Sequence, residues 1–512
     1  MRVHEMYEIK LSGPKLADHW AAADVKAEFT DGQESRTAKG FYSGEGEYCV
    51  RFLPDRAANW HWKVSGAVNG EGSIVCEEAA SGSHGMVQAY RTHFRYQDGE
   101  WFYPFGTTIY ALMHQEEALI DETMETLRTS PFNKVRFCVF PKHYNYNHNE
   151  PQFYPFEKNE DGSWDVSRPC LAFWDHFERR LMQLLSMGIQ ADIILFHPYD
   201  RWGFSRMTQE ENLLYLDYVI RRLGAYPNVW WSLANEYDLM PQQMGLDEWY
   251  EIEEFVAKND SYHHLLSNHN CFKEWDFART NITHVSIQTK RLFQIPEWLA
   301  MYQKPVMIDE CCYEGNIEEM WGNLSGREMT NRFWRAVASG AYCTHGETFL
   351  DRETEVLWWA KGGRLKGESP SRIRFLRDIV SELPGPIEPL QEGLQQMLIR
   401  SDEELAAALE QTKEEMRVFL ASALRMGREG RRLHDAVEHE WKGHCGEQAY
   451  LYFMDQQCMA EKTVELPEGR TYCAQVIDTW EMTRETVAEG LSGKCVIPMP
   501  GKPGMALLIK EE

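Results

Sequence analysis

The sequence predicts an α/β protein, a (β/α)8 TIM barrel flanked by an N-terminal β-sandwich and a C-terminal β-sandwich. Three observations predict it. In residues 86–385, helical patterns alternate with short apolar runs. Residues 1–85, and again the residues from 441 onward, show alternating apolar and polar positions between Gly, Pro and Asn turns. Apolar strands between helices are typical of a covered parallel sheet, and period-two alternation is typical of a sandwich.

The N-terminal segment, residues 1–85, is predicted to be a small β-sandwich. Short alternating stretches recur along it, among them VKAEFTD, EYCVRFLP, NWHWKVSG and GSIVCEEA. Gly, Asp and Asn separate these stretches, as they separate the strands of antiparallel sheets.

Residues 86–385 contain enough βα units for a barrel. In the helix FWDHFERRLMQLLSMG, the apolar side chains share one face and Gly188 marks the end; these side chains are Phe173, Phe177, Leu181 and Leu184. The candidate strands are FYPFGTTIY, KVRFCVF, ADIILFH, VWWSLAN, HLLSNHN, HVSIQ, PVMIDE and AYCTHGETF. Eight units in roughly 300 residues match a (β/α)8 barrel. A doubly wound open sheet is the alternative, but no GxGxxG or GxxxxGKS/T motif follows a strand.

The rest of the chain divides into two parts. Residues 386–440, which include EELAAALEQTKEEMRVFLASALRMG, have helical composition and few turn signals, so we expect a helical linker or insert. Residues 441–512 return to strand alternation with Pro and Gly turns, and we expect a C-terminal β-sandwich there.

The composition argues against two classes of partner. The formal net charge is −26, and no Lys/Arg cluster is large enough to neutralise nucleic-acid phosphates. No stretch is long and apolar enough to span a membrane. The 12 Cys form no CxxC pairs, and the N-terminus has no apolar signal core. The sequence therefore predicts reduced thiols and a cytoplasmic protein.

Chemistry in a barrel of this type takes place at the carboxyl ends of the strands, so the residues there are the site candidates. Strand four runs through NVWWSLANEYD into Asn235 and Glu236, and strand seven, PVMIDE, ends on Glu310. Polar residues at the other strands are Arg136 (strand two), His197 (three), His269 (five), Gln288 (six), and His345 and Glu347 (eight).

Two carboxylates that face each other across a crevice can split a glycosidic bond. One protonates the leaving oxygen, and the other stays ionised and attacks the anomeric carbon. A lone Glu after a strand is more often a loop carboxylate. Glu236 and Glu310 stand at matching ends of two counted barrel strands, which favours the catalytic interpretation.

These residues resemble the large clan of retaining glycoside hydrolases built on (β/α)8 barrels. That clan carries an Asn–Glu pair at the end of strand four and a Glu at the end of strand seven, which WSLANE and VMIDE supply here. The resemblance implies that Glu236 is the acid/base and Glu310 the nucleophile. It also implies that Asn235 bonds the hydroxyl next to the anomeric carbon. Arg136 and His197 are similar to the clan's strand-two Arg and strand-three His, whereas Gln288 stands where many members have Tyr or His.

A narrower resemblance covers most of the chain. FYPFGTTIYAL, WWSLANEYD and the closing DTWEMT and GKPGMALLI look similar to a bacterial family related to the apiosidases, as does the order of sandwich, barrel and C-terminal β-domain. The helical stretch at 400–440 departs from that pattern. The resemblance alone implies apiose as the sugar, and arabinose and galactose units stay open.

Other residues carry weaker signals. His143 and His148 have no firm third ligand, so we expect a substrate-lining loop there and no metal or other cofactor. Trp202, Trp358 and Trp359 are candidate sugar platforms, although any one Trp is more often part of a core. We place Trp358 among the substrate-binding candidates.

The sequence therefore predicts a retaining exo-glycosidase acting on oligosaccharides or glycosides. Its partner is expected to be a small-molecule carbohydrate held in a closed pocket, and a homo-oligomer stays open. One alternative is a catalytically silent carbohydrate-binding barrel, which would usually have lost one of the two carboxylates. Another is a metal-dependent barrel hydrolase, which would need an HxH motif near strand one, where only His114 stands.

Overall fold

The computed structural model describes residues 1–390, 400–438 and 440–512. The chain forms two compact units. The first comprises Met1–Tyr90, Phe94–Gln288 and Gly346–Leu365, and the second comprises Arg91–His93, Thr289–His345 and Lys366–Glu512.

The N-terminal part of the first unit is a β-sandwich. One antiparallel sheet has the strand order Ser35–Lys39, Val25–Thr30, Ala58–Gly66, Gly70–Cys76, and the other has the order Tyr7–Ser12, Glu47–Phe52, Phe41–Gly44. The alternation read from the sequence is the cause, since one face of each strand is buried. Phe29 stacks on Phe52 at 4.1 Å, and Phe52 meets Trp60 edge-on at 5.0 Å, within one shared core. The predicted N-terminal sandwich is confirmed.

The barrel prediction is confirmed by an eight-stranded sheet. Its strands, numbered one to eight here, are Phe105–Thr108, Lys134–Cys138, Gln190–Phe196, Val229–Ala234, Leu266–Ser267, Val285–Gln288, Val306–Glu310 and Tyr342–His345. Their order in the sheet is five, four, three, two, one, eight, seven, six. A parallel bridge between His269 and Ser286 joins the two remaining edges. Consecutive strands are thus neighbours around a nearly closed ring, and the doubly wound alternative is wrong.

Register places polar side chains at matching heights in neighbouring strands. Arg136 in strand two lies opposite Asp192 in strand three, and Asp192 lies opposite Trp230 in strand four. Every residue of strands two, three and four is buried, as the apolar runs predicted.

Helices follow every strand of the barrel except strand five, which a fully described segment without a helix joins to strand six, so one of the eight predicted βα units lacks its helix. The helices are Glu117–Thr129, Leu171–Ser186, Gln209–Leu223, Leu246–Asn259, Ile295–Tyr302, Gly326–Ala338, Trp358–Lys361 and Ser369–Ser381. In Leu171–Ser186, the four side chains predicted to share one face are fully buried: Phe173, Phe177, Leu181 and Leu184. Gly188, just past that helix, has φ +70°, a conformation in which glycine is favoured.

The C-terminal part of the second unit is again β-rich. A six-stranded antiparallel sheet has the order Glu388–Pro389, Trp441–Cys445, Ala449–Phe453, Met505–Glu511, Tyr472–Asp478, Thr483–Leu491. The strands Glu461–Glu465 and Lys494–Pro498 pair separately. The two sheets share a core that includes Tyr472, Ile497 and Leu507.

The segment predicted to be helical, 386–440, contains the helices Asp402–Gln411 and Glu414–Glu438. Ser401 caps the first with a capping box to Glu404, and Gly427 interrupts the second with φ +67°. Residues 391–399 and 439, which fall within this prediction, lie outside the described residues.

Two features of the whole chain concern its cysteines and its capacity to cross a membrane. All twelve cysteines are unbridged, including the buried pair Cys311 and Cys343, whose sulfurs lie 3.6 Å apart. Over the residues that the structure describes, no helix combines the length and apolar character needed to cross a membrane.

Candidate active site

Strand four ends where the backbone turns sharply. Glu236 follows the strand with φ +55° and ψ 54°, and the short 3-10 helix Tyr237–Leu239 begins directly after it. The backbone N–H of Tyr237 donates to His269 O at 3.0 Å, which ties this turn to the end of strand five. A left-handed conformation is uncommon for a non-glycine residue and is often found at functional sites. Glu236 is 7% exposed.

Two tyrosines supply hydrogen bonds to the Asn–Glu pair. Tyr110 donates its hydroxyl proton to Asn235 Oδ1 at 2.8 Å. Asn235 Nδ2 donates to Glu236 Oε2 at 3.2 Å, and the same oxygen accepts the hydroxyl of Tyr199. Both ends of the Asn235 amide are thus hydrogen-bonded, and Glu236 Oε2 is bonded from two sides.

The ammonium group of Lys142 lies among aromatic rings. Its nitrogen is 3.5 Å from the ring centroid of Tyr110, 4.3 Å from that of Tyr199 and 4.9 Å from that of Trp359. A fourth ring, Tyr144, lies 5.7 Å away. Lys142 is buried, and these distances are within the range of cation–π attraction. The two tyrosines that bond Asn235 and Glu236 thus also face a buried cation.

His197, predicted to bind substrate, is buried beside this cluster. Its Nε2 donates to Phe140 O at 3.1 Å, and its Nδ1 accepts the N–H of Tyr199 at 3.2 Å. Burial, and after it the charge of Lys142, lower the pKa of His197 to about 4. The imidazole is therefore neutral near pH 7, and it positions the backbone of Tyr199.

Arg136 is fully buried inside the barrel. Its Nε lies 3.4 Å from Asp192 Oδ2, and Lys134 Nζ lies 2.6 Å from the same oxygen. Two cations therefore share one carboxylate in the interior of strands two and three.

The ends of strands five and six lie next to strand four. Asn268 Oδ1 accepts the backbone N–H groups of Ala234 at 3.1 Å and of His269 at 3.0 Å. His269 is fully buried. Gln288 is half-buried, and its backbone N–H donates to Asn270 Oδ1 at 3.1 Å. These bonds hold the strand ends in register, and substrate roles for His269 and Gln288 stay predictions.

Within the second unit, Glu310 is the last residue of strand seven and is half-buried. Its backbone carbonyl accepts the N–H of Thr289 at 2.8 Å. The preceding Asp309 is fully buried and accepts the hydroxyl of Thr344, in strand eight, at 2.8 Å. The backbone bond to Thr289 and the side-chain bond between Asp309 and Thr344 therefore hold the end of strand seven.

His345 ends strand eight in the same unit. It is fully buried, and burial lowers its pKa to about 3, so the ring is neutral near pH 7. Its substrate role stays a prediction.

Glu347 and Trp358, in the first unit, are both buried. The indole N–H of Trp358 donates to Thr107 Oγ1 at 2.8 Å, which fastens it to strand one. The neighbouring Trp359 instead packs edge-on against Tyr110, at 5.3 Å, and against Tyr144, at 5.6 Å. The sugar-platform role of Trp358 stays a prediction, and Trp359 is the tryptophan that touches the ring cluster around Lys142.

The loop with His143 and His148 lies against the loop after strand three. His148 Nδ1 and His143 Nε2 of the two imidazoles lie 3.3 Å apart. The backbone N–H of His143 donates to the backbone carbonyl of Tyr199 at 2.9 Å. In the described part of the chain, no three or more His, Cys, Asp or Glu side chains gather in a group that could hold a metal ion.

Sequence reasoning did not find Tyr110, Lys142 and Tyr199. Each follows or ends a predicted barrel strand, in TTIY, FPKH and HPYD, so position alone was a usable signal. Lysine and tyrosine are common in loops, and only the contacts between residues far apart in the chain set them apart.

Three family models match the chain. Residues 88–363, more than half of the chain, match the model described as "Apiosidase-like, catalytic domain". Residues 1–67 and 438–510 match two domains of unknown function, DUF5060 and DUF5605. No curated protein sequence matches the chain.

Solved structures resemble it as well. A protein from Bacteroides vulgatus ATCC 8482, proposed to be a glycoside hydrolase, is 31% identical with a TM-score of 0.85, over 100% of this chain and 99% of that one. A glycoside hydrolase family 5 protein from the same organism is 13% identical with a TM-score of 0.58, over 83% of this chain and 94% of that one. The second likeness is one of fold alone.

Proposed function

The chain belongs to the apiosidase-like family and is a glycoside hydrolase, and from this premise we propose that it is a retaining exo-glycosidase. It would remove a terminal sugar from oligosaccharides or glycosides through a covalent glycosyl-enzyme intermediate. The observation that carries the proposal is the set of hydrogen bonds that hold Asn235 and Glu236 at the carboxyl end of strand four. Glu310 ends strand seven of the same parallel sheet, which supports its role as the second carboxylate.

In the first step, Glu310 attacks the anomeric carbon and Glu236 protonates the leaving oxygen. In the second step, Glu236 removes a proton from water, which attacks the anomeric carbon and releases Glu310. Two displacements on the same carbon restore its configuration. This mechanism requires the two carboxyl groups to stand about 5–5.5 Å apart.

The bonds to Glu236 indicate which of its oxygens carries the transferable proton. Oε2 accepts from Tyr199 and from Asn235, and both bonds favour an oxygen that bears no proton. We therefore assign the proton to Oε1. The carboxyl can lose that proton to the leaving group while Oε2 keeps both donors. The contacts with the Tyr199 phenol and the Asn235 amide therefore need not rearrange.

The amide nitrogen of Asn235 has a second hydrogen that can be donated to the sugar. This nitrogen carries two hydrogens, and one of them is directed to Glu236. The acceptor Glu236 Oε2 faces the amide nitrogen, and Tyr110 donates to the amide oxygen on the other side. We assign the second hydrogen to the hydroxyl next to the anomeric carbon, as the family resemblance implies. A bond there strengthens as charge develops on the sugar ring.

Contacts between loops support exo action. Tyr144, after strand two, packs edge-on against Tyr199, after strand three, at 5.2 Å and against Trp359, after strand eight, at 5.6 Å. Loops that meet in this way favour a pocket for one terminal sugar over an open cleft. The identity of the terminal sugar is to be determined by assay. Apiose is the first candidate because the chain belongs to the apiosidase-like family.

We also propose a cytoplasmic location and a small carbohydrate as the partner, with neither nucleic acid nor membrane. Twelve unbridged cysteines, two of them with sulfurs 3.6 Å apart, fit a reducing compartment. The net charge of −26 is unsuited to phosphate backbones.

A panel of nitrophenyl glycosides, α and β, furanose and pyranose, with apiosides included, tests the proposal. We expect hydrolysis of one class of sugar, and NMR of the first product should show the anomeric configuration of the substrate. An inverted first product would refute retention. Mixed oligomers released from a long polysaccharide within the first minutes would refute exo action.

A further inference from the structure

The side chain of Lys142 is surrounded by groups that serve the acid/base. It is 4% exposed, and its nitrogen lies over the rings of Tyr110 and Tyr199 at 3.5 and 4.3 Å. Those are the two tyrosines whose hydroxyls bond Asn235 and Glu236. The ammonium of Lys142 therefore lies over the ring of each tyrosine that donates to the Asn–Glu pair.

Local hydrogen bonds hold the backbone of Lys142 in place. Asn147 Nδ2 donates to Lys142 O at 2.6 Å, and Gln115 Nε2 donates in turn to Asn147 Oδ1 at 3.3 Å. The next residue, His143, donates its N–H to Tyr199 O. The loop that carries the ammonium is thus fastened both to the end of strand one and to the loop that carries Tyr199.

A cation against a tyrosine ring has two effects. It is attracted to the negative face, which fixes the ring, and it withdraws electron density, which makes the hydroxyl a stronger hydrogen-bond donor.

We propose that Lys142 is a positioning residue of the acid/base, which holds Tyr110 and Tyr199 as donors to Asn235 and Glu236 and thereby keeps the transferable proton of Glu236 on Oε1. This inference rests on the proposed function and extends it by one residue outside the carboxylate pair. Lys142 acts through the two tyrosines, and no contact between Lys142 and the sugar is required.

Several titratable and charged groups face this cluster. Tyr110 comes from the end of strand one, Tyr144 from the loop of Lys142 itself, and Tyr199 and His197 from the loop after strand three. Asp200 acts on His197 from the same loop. His197, with its pKa lowered to about 4 mainly by burial, stays neutral over the working range and does not compete with the charge of Lys142.

The test compares Lys142→Met with Lys142→Arg on two glycosides of the same sugar. One has a poor leaving group that needs a proton, and the other has a dinitrophenol leaving group that does not. We expect Lys142→Met to lower kcat/KM about 10- to 100-fold on the first and less than about 3-fold on the second. Lys142→Arg should recover most of the loss because it retains the cation.

The leaving-group dependence separates this role from packing. A role in packing alone would lower kcat/KM by the same factor on both glycosides.

Lys158→Met is the matched control. Its ammonium lies over Trp164 at 4.8 Å and Tyr154 at 5.6 Å, away from the Asn–Glu pair. We expect it to leave the leaving-group dependence unchanged.

Glu236→Ala, measured on the same two substrates, separates this inference from the proposed function. If Glu236→Ala spares the dinitrophenyl substrate and Lys142→Met lowers both equally, the inference about Lys142 is overturned and the proposed function stands. If Glu236→Ala spares neither substrate, the acid/base assignment fails and the inference fails with it.

Discussion

Tyr199 donates its phenolic hydrogen to Glu236 Oε2, so the predicted proton donor is itself held by a hydrogen bond from the loop after strand three. His197 accepts the backbone N–H of Tyr199, which fixes the base of that side chain. Oε2 of Glu236 is therefore hydrogen-bonded before any substrate binds. This contact also sets the orientation of Oε1.

Tyr199→Phe removes that donor and keeps the ring. We expect kcat/KM on a substrate with a poor leaving group to fall about 10- to 150-fold, since a hydrogen bond to a charged group is worth about 1.5–3 kcal/mol. Tyr154→Phe is the control: Tyr154 also donates to a glutamate, Glu150, but outside the Asn–Glu pair. An unchanged kcat/KM in Tyr199→Phe would show that this contact has no catalytic effect.

Asn235→Ala tests the proposed bond to the sugar. We expect a loss of about 100- to 1000-fold in kcat/KM, comparable to the loss of one donor that stabilises a transition state. The same variant should lose far less on the 2-deoxy analogue of the substrate, which lacks the hydroxyl. A double-mutant cycle of enzyme and substrate measures this coupling. Independent, additive losses would mean that Asn235 acts only through Glu236.

The fold could be predicted from the sequence because apolar runs such as ADIILF and VWWSLA are buried on both faces. The strand ends at Glu236 and Glu310 could be predicted for the same reason, since a strand that stops at a polar residue marks its own end. Local pattern was enough in both cases.

The side chains that surround and hydrogen-bond the Asn235–Glu236 pair could not be predicted from the sequence. Tyr110, Lys142 and Tyr199 come together only because three loops fold over one another, and no periodicity reports where a loop side chain points. The predicted platform Trp358 illustrates the same limit: its indole bonds Thr107, while the adjacent Trp359 meets the rings.

Glu178 lies in a buried network of ion pairs, so removing its charge should lower the stability of the protein. Glu178 accepts hydrogen bonds from Arg51, in the N-terminal sandwich, and from Arg222 at 2.6 Å. Burial works to raise the pKa of Glu178, but the charges of the two arginines outweigh it and the pKa is lowered. Its contribution to stability is thus complete above its unfolded pKa of about 4.3 and is lost as the pH falls through the folded value.

Glu178→Gln should therefore lower the free energy of unfolding by about 3 kcal/mol at pH 7, because it removes the carboxylate that two buried arginines share. We expect the lower end of the range for a broken buried pair, since Arg51 keeps its pair with Glu8 and Arg222 its pair with Asp175. The deficit should shrink in acid. Urea unfolding at several pH values measures both. Glu125→Gln is the control, since Glu125 pairs with Arg128 at the surface. A deficit below about 1 kcal/mol, the size typical of a surface pair, would contradict the account.

In the proposed mechanism, Glu310 forms a covalent bond to the sugar while Glu236 transfers the proton. The most direct measurement is to trap the intermediate with a 2-deoxy-2-fluoro glycoside of the preferred sugar and to map the label by peptide mass spectrometry. We predict stoichiometric labelling of Glu310, slow turnover to product of retained configuration, and no labelling in Glu310→Gln. A label on Glu236 or on another carboxylate would contradict the account, as would complete hydrolysis to an inverted product with no trapped species.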